Sequence, residues 1–236
     1  MNDTGSTVNK SLQQITQLQQ RAIQFAESGM VEEALEAAMI CIGLQEEVAP
    51  NDLLLRAKLT QNASRILLYA GELDYSEKIA REGLDFLQTA EGVTNDDRAH
   101  AFLNMSSILY TKKELDSAAL ILQDALAIWS KEAGRDAEVA ECYNNLGRLR
   151  EEQGRAEEAI ELHQQAIDIK RNIFGDHEQT AFSIMNKGLA LMLSKQFLEA
   201  KVTLEEAIAC YRRIGQYDSE MVKACEQNLK ICLEHI

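Results

Sequence analysis

The stretch YNNLGRLREEQGRAEEAIELHQQAI, residues 143–167, contains the pattern that decides the fold. Gly147 in this stretch belongs to a column of small residues whose members stand 42, 42, 41 and 41 residues apart along the chain. The column consists of Ala22, Ser64, Ser106, Gly147 and Gly188. Such a fixed period indicates one supersecondary unit written five times, rather than a series of unrelated elements.

Two further residues of the same stretch, Ala159 and Ala166, recur with this period. Their columns are Ala34, Ser76, Ala118, Ala159 and Ala200, and Cys41, Gly83, Ala125, Ala166 and Ala207. Small side chains let two helices approach closely, while larger residues between them fill the remaining space. A turn column of Gly29, Gly71 and Gly154, with Lys113 and Lys195 in the other two units, marks the end of each first helix. The period therefore predicts helix–turn–helix pairs.

The composition agrees with a helical body and restricts the partners. Hydrophobic residues make up 46% of the 236 residues, aromatic residues only 6%, and there is one proline to interrupt helices. The net charge of −14 would repel phosphate backbones and anionic lipid surfaces. We therefore expect no nucleic-acid partner and no membrane insertion.

The periodicity predicts an all-α, right-handed α-solenoid, because no pair of helices can bury its apolar face alone and neighbouring pairs must stack. We expect a disordered tail over residues 1–11, five pairs of helices, and a capping helix over 216–236 with Glu226, Lys230 and Glu234 turned outward. The five pairs are predicted over residues 12–52, 53–94, 95–136, 137–176 and 177–215. Aspartates that precede the first helices are predicted as N-caps. They are Asp52, Asp96 or Asp97, Asp136, Asp176 and Asp218.

Cysteine usage and the absence of targeting signals indicate a cytoplasmic protein. The five cysteines contain no CxxC motif, and none has a histidine at metal-ligand spacing, so we expect neither a metal nor a cofactor. Residues 1–10 lack the basic-then-apolar pattern of a secretion signal, and the longest apolar stretch, 37–44, is too short to cross a bilayer. A reducing compartment is therefore expected.

At this point the chain resembles a known family. Residues 143–147, 154–160 and 165–167 look like tetratricopeptide repeats, and residues 174–181 are similar to the link between repeats of the longer, kinesin-light-chain-like class with about 42 residues per unit. The resemblance covers about residues 12–235. It implies a superhelix whose first helices line a concave groove for a peptide or helix of another protein.

Asparagine also recurs in step with the repeat. The row is Asn62, Asn104, Asn145, Asn186 and Asn228. Each lies two positions before the small column or its equivalent, so its amide points about 200° away from that contact, toward the inner wall. An amide can both donate to and accept from one peptide unit, so the row could hold an extended backbone. The alternative is that each asparagine bonds to a neighbouring helix and sets the spacing between units. The two roles are compatible.

Residues near the asparagines on the same inner face would supply selectivity. In the second to fourth units the candidates are Arg65, Tyr110, Asn144, Arg148 and Glu151. Arg148 and Glu151 could equally form an ordinary pair within one helix.

In the fifth unit the inner face is apolar and includes Met185, Leu189 and Met192. Such a face needs a cover. We expect the chain's own last helix to cover this face. The alternatives are that a partner protein or a second copy of the chain covers it.

No arrangement in the sequence indicates catalysis. Nucleophile, phosphate-binding and metalloprotease motifs are missing, and His163 occupies a packing column that also holds Leu122 and Leu204. The leading hypothesis is a non-catalytic adaptor that binds a partner peptide or helix in its groove. A peptide-responsive receptor that changes superhelix pitch, and an oligomer that self-associates through the C-terminal units, remain alternatives.

Overall fold

The computed structural model describes the backbone of residues 3–236 and the side chains of residues 10–236. Over these residues the chain forms eleven α-helices and no strand, so the predicted all-α class is confirmed. The helices are α1 (Asp3–Glu27), α2 (Val31–Val48), α3 (Leu53–Tyr69), α4 (Leu73–Thr89), α5 (Asn95–Thr111), α6 (Leu115–Trp129), α7 (Asp136–Glu152), α8 (Ala156–Phe174), α9 (Glu178–Leu193), α10 (Phe197–Arg213) and α11 (Glu220–Glu234).

Helix α1 begins earlier than the sequence predicts. Its first residue is Asp3, although a disordered tail is expected through residue 11; residues 1 and 2 lie outside the described residues. Extension of an existing helix adds one hydrogen bond per residue fixed, without a new nucleation cost. No proline interrupts this segment, so the helix continues through weak helix formers.

The small columns lie where the helices of a pair meet. Ala34, Ser76, Ala118, Ala159 and Ala200 are all 0% exposed. The Ser76 hydroxyl donates to the carbonyl of Ser64, 2.6 Å away on the facing helix. The close approach that the packing columns predict is therefore confirmed, and at Ser76 a hydrogen bond accompanies it.

The predicted turn column is confirmed. Gly29, Gly71 and Gly154 have φ values of 75°, 79° and 74°, in the left-handed region. Lys113 and Lys195 adopt the same conformation, with φ values of 65° and 62°. Only glycine reaches this region without a steric cost, so the two lysines hold a conformation that a side chain disfavours.

A second packing feature pairs a glycine with a large residue inside one hairpin. A Cβ added at Gly147 would lie 2.5 Å from Cε1 of His163, and one at Gly188 would lie 2.8 Å from Cδ2 of Leu204. In the first two pairs the residues in the column of His163 are the small Ala38 and Ala80. There the first-helix column carries alanine and serine, so glycine occurs in this column only where the second-helix residue is large.

The predicted aspartate caps are right at Asp52, whose carboxylate accepts a hydrogen bond from the Leu55 amide at 2.9 Å. Helix α5 is capped by Thr94, with Asp97 completing a capping box from inside the helix. The prediction of Asp96 or Asp97 as the N-cap of α5 is therefore wrong, and so is the prediction for the other three helices. Their N-caps are Arg135 for α7, His177 for α9 and Ser219 for α11. Asp176 instead forms a bidentate pair with Arg213, which holds the pKa of this carboxyl below its usual range.

The chain divides into two compact units, residues 1–121 and 122–236, with the boundary inside α6. In the first unit the core surrounds Ile15, Leu59 and Leu67; in the second it surrounds Leu204 and Tyr211. Within each unit, successive helices pack in chain order, and the first helices of neighbouring pairs touch, as α1 does α3 and α7 does α9.

Helix α11 closes the second unit by packing on α10 and α9. Lys230 and Glu234 are exposed, as predicted for the outer face of a capping helix. Glu226 differs, because it is half-buried and accepts a hydrogen bond from Arg212 at 2.9 Å. One of the three expected outward residues therefore helps to attach the cap.

Candidate functional site

A cavity of about 340 Å³ opens between α1 and α3 in the first unit. Ala38 and Cys41 of α2 form part of its lining and are almost fully buried, so they lie at its base. Its walls come from both first helices and are mainly apolar. From α1 they are Gln19, Ala22, Ile23, Ala26 and Glu27, and from α3 Leu59, Asn62, Arg65, Ile66 and Tyr69. Two residues predicted for the groove, Asn62 and Arg65, therefore line one concave site.

Small residues create this cavity. Ala22 and Ala26 stand one turn apart on α1, and Ala38 stands opposite on α2, so nothing large enters the space between the helices. At the rim, Ile23 is 45% exposed and Tyr69 is 69% exposed. A side chain with an apolar body could be buried here against aliphatic and aromatic walls.

One positively charged residue at this cavity, Arg65, remains available to bind a ligand. Helix α3 carries three bases and no acid in a chain of net charge −14. Arg56 pairs with Glu46, and Lys58 Nζ lies 3.0 Å from Asp97. Arg65 forms no ion pair with any residue that the structure describes. Arg65 is therefore the base of α3 that a bound ligand could reach.

The asparagine row is divided by burial. Asn104 is 8% exposed, and its Nδ2 donates to Gln61 Oε1 and to Ser64 Oγ, both at 2.7 Å. Gln61 in turn donates from Nε2 to the carbonyl of Ala80 at 3.2 Å. Asn104 thus joins α5 to α3, and through Gln61 to α4, which matches the structural alternative for the row.

A similar network lies in the second unit. Asn186, which is 5% exposed, donates from Nδ2 to Asn144 Oδ1 at 3.2 Å. The same oxygen lies 3.2 Å from His163 Nδ1, and His163 Nε2 lies 3.2 Å from Glu151 Oε1. His163 is 0% exposed, so it is a packed imidazole, as predicted. Asn144 and Glu151, both predicted for the groove, are here used to hold α7, α8 and α9 together.

The other three asparagines of the row have side-chain amides that could still bind a ligand. Asn62, Asn145 and Asn228 are half-buried, and within the described part of the chain their side chains make no hydrogen bond. Tyr110 is half-buried with Lys113 Nζ 5.5 Å from its ring centre, and Arg148 is exposed. A role of these residues in peptide binding stays a prediction.

The apolar inner face of the fifth pair is partly covered by the chain itself. Met185 is 7% exposed and belongs to the core, which argues against a role in binding. Met192 packs against the same cluster, to which α11 contributes Val222 and Cys225. Leu189 is half-buried. The last helix therefore covers part of this face, as the sequence analysis favours.

Nothing among the described residues is arranged for metal chemistry, since no group of three histidine, cysteine or acidic side chains could hold an ion there. The five cysteines are all free and buried. Burial raises the pKa of the Cys41 thiol to about 11 and that of Cys142 to about 12. Such thiols stay protonated and are weak nucleophiles. None of the described helices has a run of apolar residues long enough to span a bilayer.

Sequence reasoning missed the bonds between units, although a signal exists. Gln61 and Asn144 each stand directly before an asparagine of the row, and each accepts from the asparagine of the next unit. The equivalent residues Leu103 and Met185 cannot accept. A polar residue at that preceding position is therefore not sufficient for the bond, because Gln19 holds the same position relative to Asn62, whose side chain makes no hydrogen bond with a described residue.

Comparison with known proteins gives consistent matches. The tetratricopeptide repeat family model matches residues 97–172 and 138–213. Clustered mitochondria protein homologs of Emericella nidulans and Aspergillus fumigatus are 23% and 22% identical to this chain over 171 residues. The match covers 71% of this chain but spans only 14% and 13% of those relatives' own length.

Several solved structures share the fold. BtubC (BKLC) from P. vanneervenii has a TM-score of 0.75 at 20% identity, covering 87% of this chain and 84% of that one. The repeats of a putative kinesin light chain from Podosopora anserina give 0.71 at 17% identity, with 86% and 97% covered. A Rap protein complexed with Competence and Sporulation Factor gives 0.72 at 14% identity, with 97% and 69% covered. The predicted α-solenoid fold is thereby confirmed.

Proposed function

The chain belongs to the tetratricopeptide-repeat family, in its longer kinesin-light-chain-like class, and we propose that it is a non-catalytic adaptor. It binds an extended peptide or a helix of a partner protein along the inner side of its first helices. The observation that carries this proposal is the cavity between α1 and α3, which is apolar at its base and has both apolar and polar residues at its rim.

The cavity supplies the anchor of the proposed site. Full burial of a leucine, methionine or phenylalanine side chain contributes about 1.5–3 kcal/mol, and exposed aromatic residues such as Tyr69 are frequent among the residues that dominate binding. The open amide of Asn62 lines the same cavity, where it can bond to the backbone of the bound segment. Arg65 completes the rim and can donate hydrogen bonds to a carboxylate or carbonyl oxygen of the ligand.

Under this proposal the asparagine row has two functions. Asn62 and Asn145 have free amides that can contact a peptide backbone, whereas Asn104 and Asn186 hold neighbouring first helices in register. Within each unit, first helices held in this way keep the binding residues of that unit in place, which lowers the entropy cost of binding.

Two observations support ligand binding by this fold and a cytoplasmic location. A Rap protein that shares the fold is complexed with Competence and Sporulation Factor, so a solenoid of this shape can accept a ligand. Five free, buried thiols suit a reducing compartment, and we place the adaptor in the cytoplasm.

Short peptides selected from a random display library on the full chain test the proposal. Ala26→Phe places a ring in the cavity and should weaken the binding of selected peptides at least about tenfold, because it excludes an anchor side chain. The matched control is Ala127→Phe on the exposed side of α6, which should leave binding unchanged. Fluorescence anisotropy gives the dissociation constants, and thermal denaturation checks that both variants fold.

Two results would overturn the proposed function. One is that no peptide is enriched on the full chain. The other is that peptides bind Ala26→Phe as tightly as the unaltered chain, which would place binding away from this cavity.

A further inference from the structure

The outer face of α2 exposes an apolar pair at positions that are polar in every other repeat. Met39 is 38% exposed and Ile40 is 44% exposed. The equivalent pairs, one repeat period apart, are Arg81 and Glu82, Gln123 and Asp124, Gln164 and Gln165, and Glu205 and Glu206. The four polar pairs show that the repeat does not require apolar residues here. Met39 and Ile40 therefore have no role that the fold accounts for.

Gly43 adds a second departure on the same face. With Glu36, Met39 and Ile40 it forms the i, i+3, i+4, i+7 diamond that receives a side chain of a facing helix. A Cβ added at Gly43 would meet no atom within 4 Å, so internal packing does not require glycine. Glycine inside a helix costs about 1 kcal/mol relative to alanine. Its other effect is to let a second backbone approach closely.

The charges around this diamond have one sign. Helix α2 contains five glutamates and no base. Glu46 pairs with Arg56, while the other four make no ion pair with a described residue. They are Glu32, Glu33, Glu36 and Glu47. We call this set, with Met39, Ile40 and Gly43, the α2 surface.

We propose that the α2 surface docks a basic amphipathic helix of a partner protein. A side chain on the apolar stripe of that helix enters the diamond, and lysines or arginines beside the stripe meet the glutamates. A second copy of this chain is a poor occupant, because two such faces would oppose four unpaired glutamates with four. An anionic lipid surface is disfavoured for the same reason.

This docking surface is separate from the proposed peptide site. Ala38 and Cys41 of α2 face the cavity, whereas Met39 and Ile40 are exposed to solvent on the other side of the helix. The proposal therefore does not depend on peptide binding between α1 and α3, and each can fail without the other.

The probe is a synthetic amphipathic helix of leucine and lysine, with a leucine and glutamate version as its control. Met39→Gln with Ile40→Gln reproduces the residues of the fourth repeat and leaves the net charge unchanged. We expect this double variant to weaken binding of the basic helix at least about tenfold. Gly43→Ala should also weaken binding, although alanine favours the helix in the free chain. The matched control is Leu198→Gln with Val202→Gln, an exposed apolar pair on α10, which should have no effect.

Isothermal titration calorimetry on the full chain measures these affinities. Equal affinity of the double variant and the unaltered chain would mean that charge alone attracts the probe, and would overturn the proposal. Sedimentation of the chain alone provides the second measurement. If the chain self-associates and the double variant abolishes this, the α2 surface joins two copies and the proposed partner is wrong.

Discussion

Gly147→Ala is expected to destabilise the chain, against the usual preference of helices for alanine. The added Cβ would lie 2.5 Å from Cε1 of His163, whose ring is 0% exposed and held by Asn144 and Glu151. Overpacking of this kind costs about 1–3 kcal/mol, and the change from glycine to alanine in a helix returns about 1 kcal/mol. We expect a net loss of up to about 2 kcal/mol in the free energy of unfolding.

The sign of the effect should reverse when His163 is removed. In the background of His163→Ala the ring is gone, and Gly147→Ala then reproduces the pairing of Ala22 with Ala38 in the first repeat. The same substitution should now stabilise by about 1 kcal/mol, because only the helix preference remains. The two backgrounds thus form a double-mutant cycle with a coupling of about 1–3 kcal/mol.

Urea denaturation followed by far-UV circular dichroism and by the fluorescence of the buried Trp129 measures this cycle. Gly43→Ala serves as the control, since its added Cβ meets no atom within 4 Å, and should stabilise by about 1 kcal/mol. A stabilising effect of Gly147→Ala in the unaltered chain, or the same effect in both backgrounds, would refute the packing argument.

Four further substitutions probe other parts of the structure. Asn104→Ala should lower the free energy of unfolding by about 1–3 kcal/mol, because a buried amide loses two hydrogen bonds, while Asn62→Ala should change it by less than about 0.5 kcal/mol; equal effects in urea denaturation would contradict the division of the asparagine row. Lys195→Gly should raise the thermal midpoint, since its φ of 62° costs a side-chain-bearing residue about 1–2 kcal/mol, and a lower midpoint would argue against strain at this turn. Hydrogen bonds from Lys112 lower the pKa of Glu77 below its ordinary value of 4.5, so their stabilisation is present above that pH and is lost as the pH falls through the lowered value. Glu77→Gln should therefore flatten the acid side of the plot of thermal midpoint against pH, and an unchanged slope would show that this pair contributes nothing.

The fold could be predicted because its main contacts recur at a constant period. Each small column, such as that of Ala159, repeats the same close approach, so five copies reinforce one interpretation. The caps lack this redundancy. Asp176 and Asp218 stand near helix starts, but Arg213 binds the first and Ser219 caps in place of the second. A local competition between neighbouring polar groups decides each helix start, and spacing alone does not resolve it.

The sequence predicts which side of α3 carries the candidate residues, but it does not predict which asparagines are free or where a cavity opens. Periodicity places Asn62 and Arg65 on the inner side of α3, where they line the cavity. Whether an asparagine is free depends on the contact that it makes with the preceding unit: Asn104 bonds to Gln61, whereas Asn62 makes no such bond to Gln19 at the equivalent position. The cavity itself depends on the width of the gap between α1 and α3. The spacing of residues along the sequence does not give this distance.

The two kinds of contact between helices differ in how they would tolerate recombination of the gene. Gly147 and His163 belong to one hairpin, so duplication or loss of a whole repeat would carry both partners and create no clash. The bond from Asn186 to Asn144 crosses from one hairpin to the next, so the same event would separate donor from acceptor. Duplication of a repeat thus preserves the contacts within its hairpin. The contacts between neighbouring hairpins must instead be restored by later substitutions at each new junction.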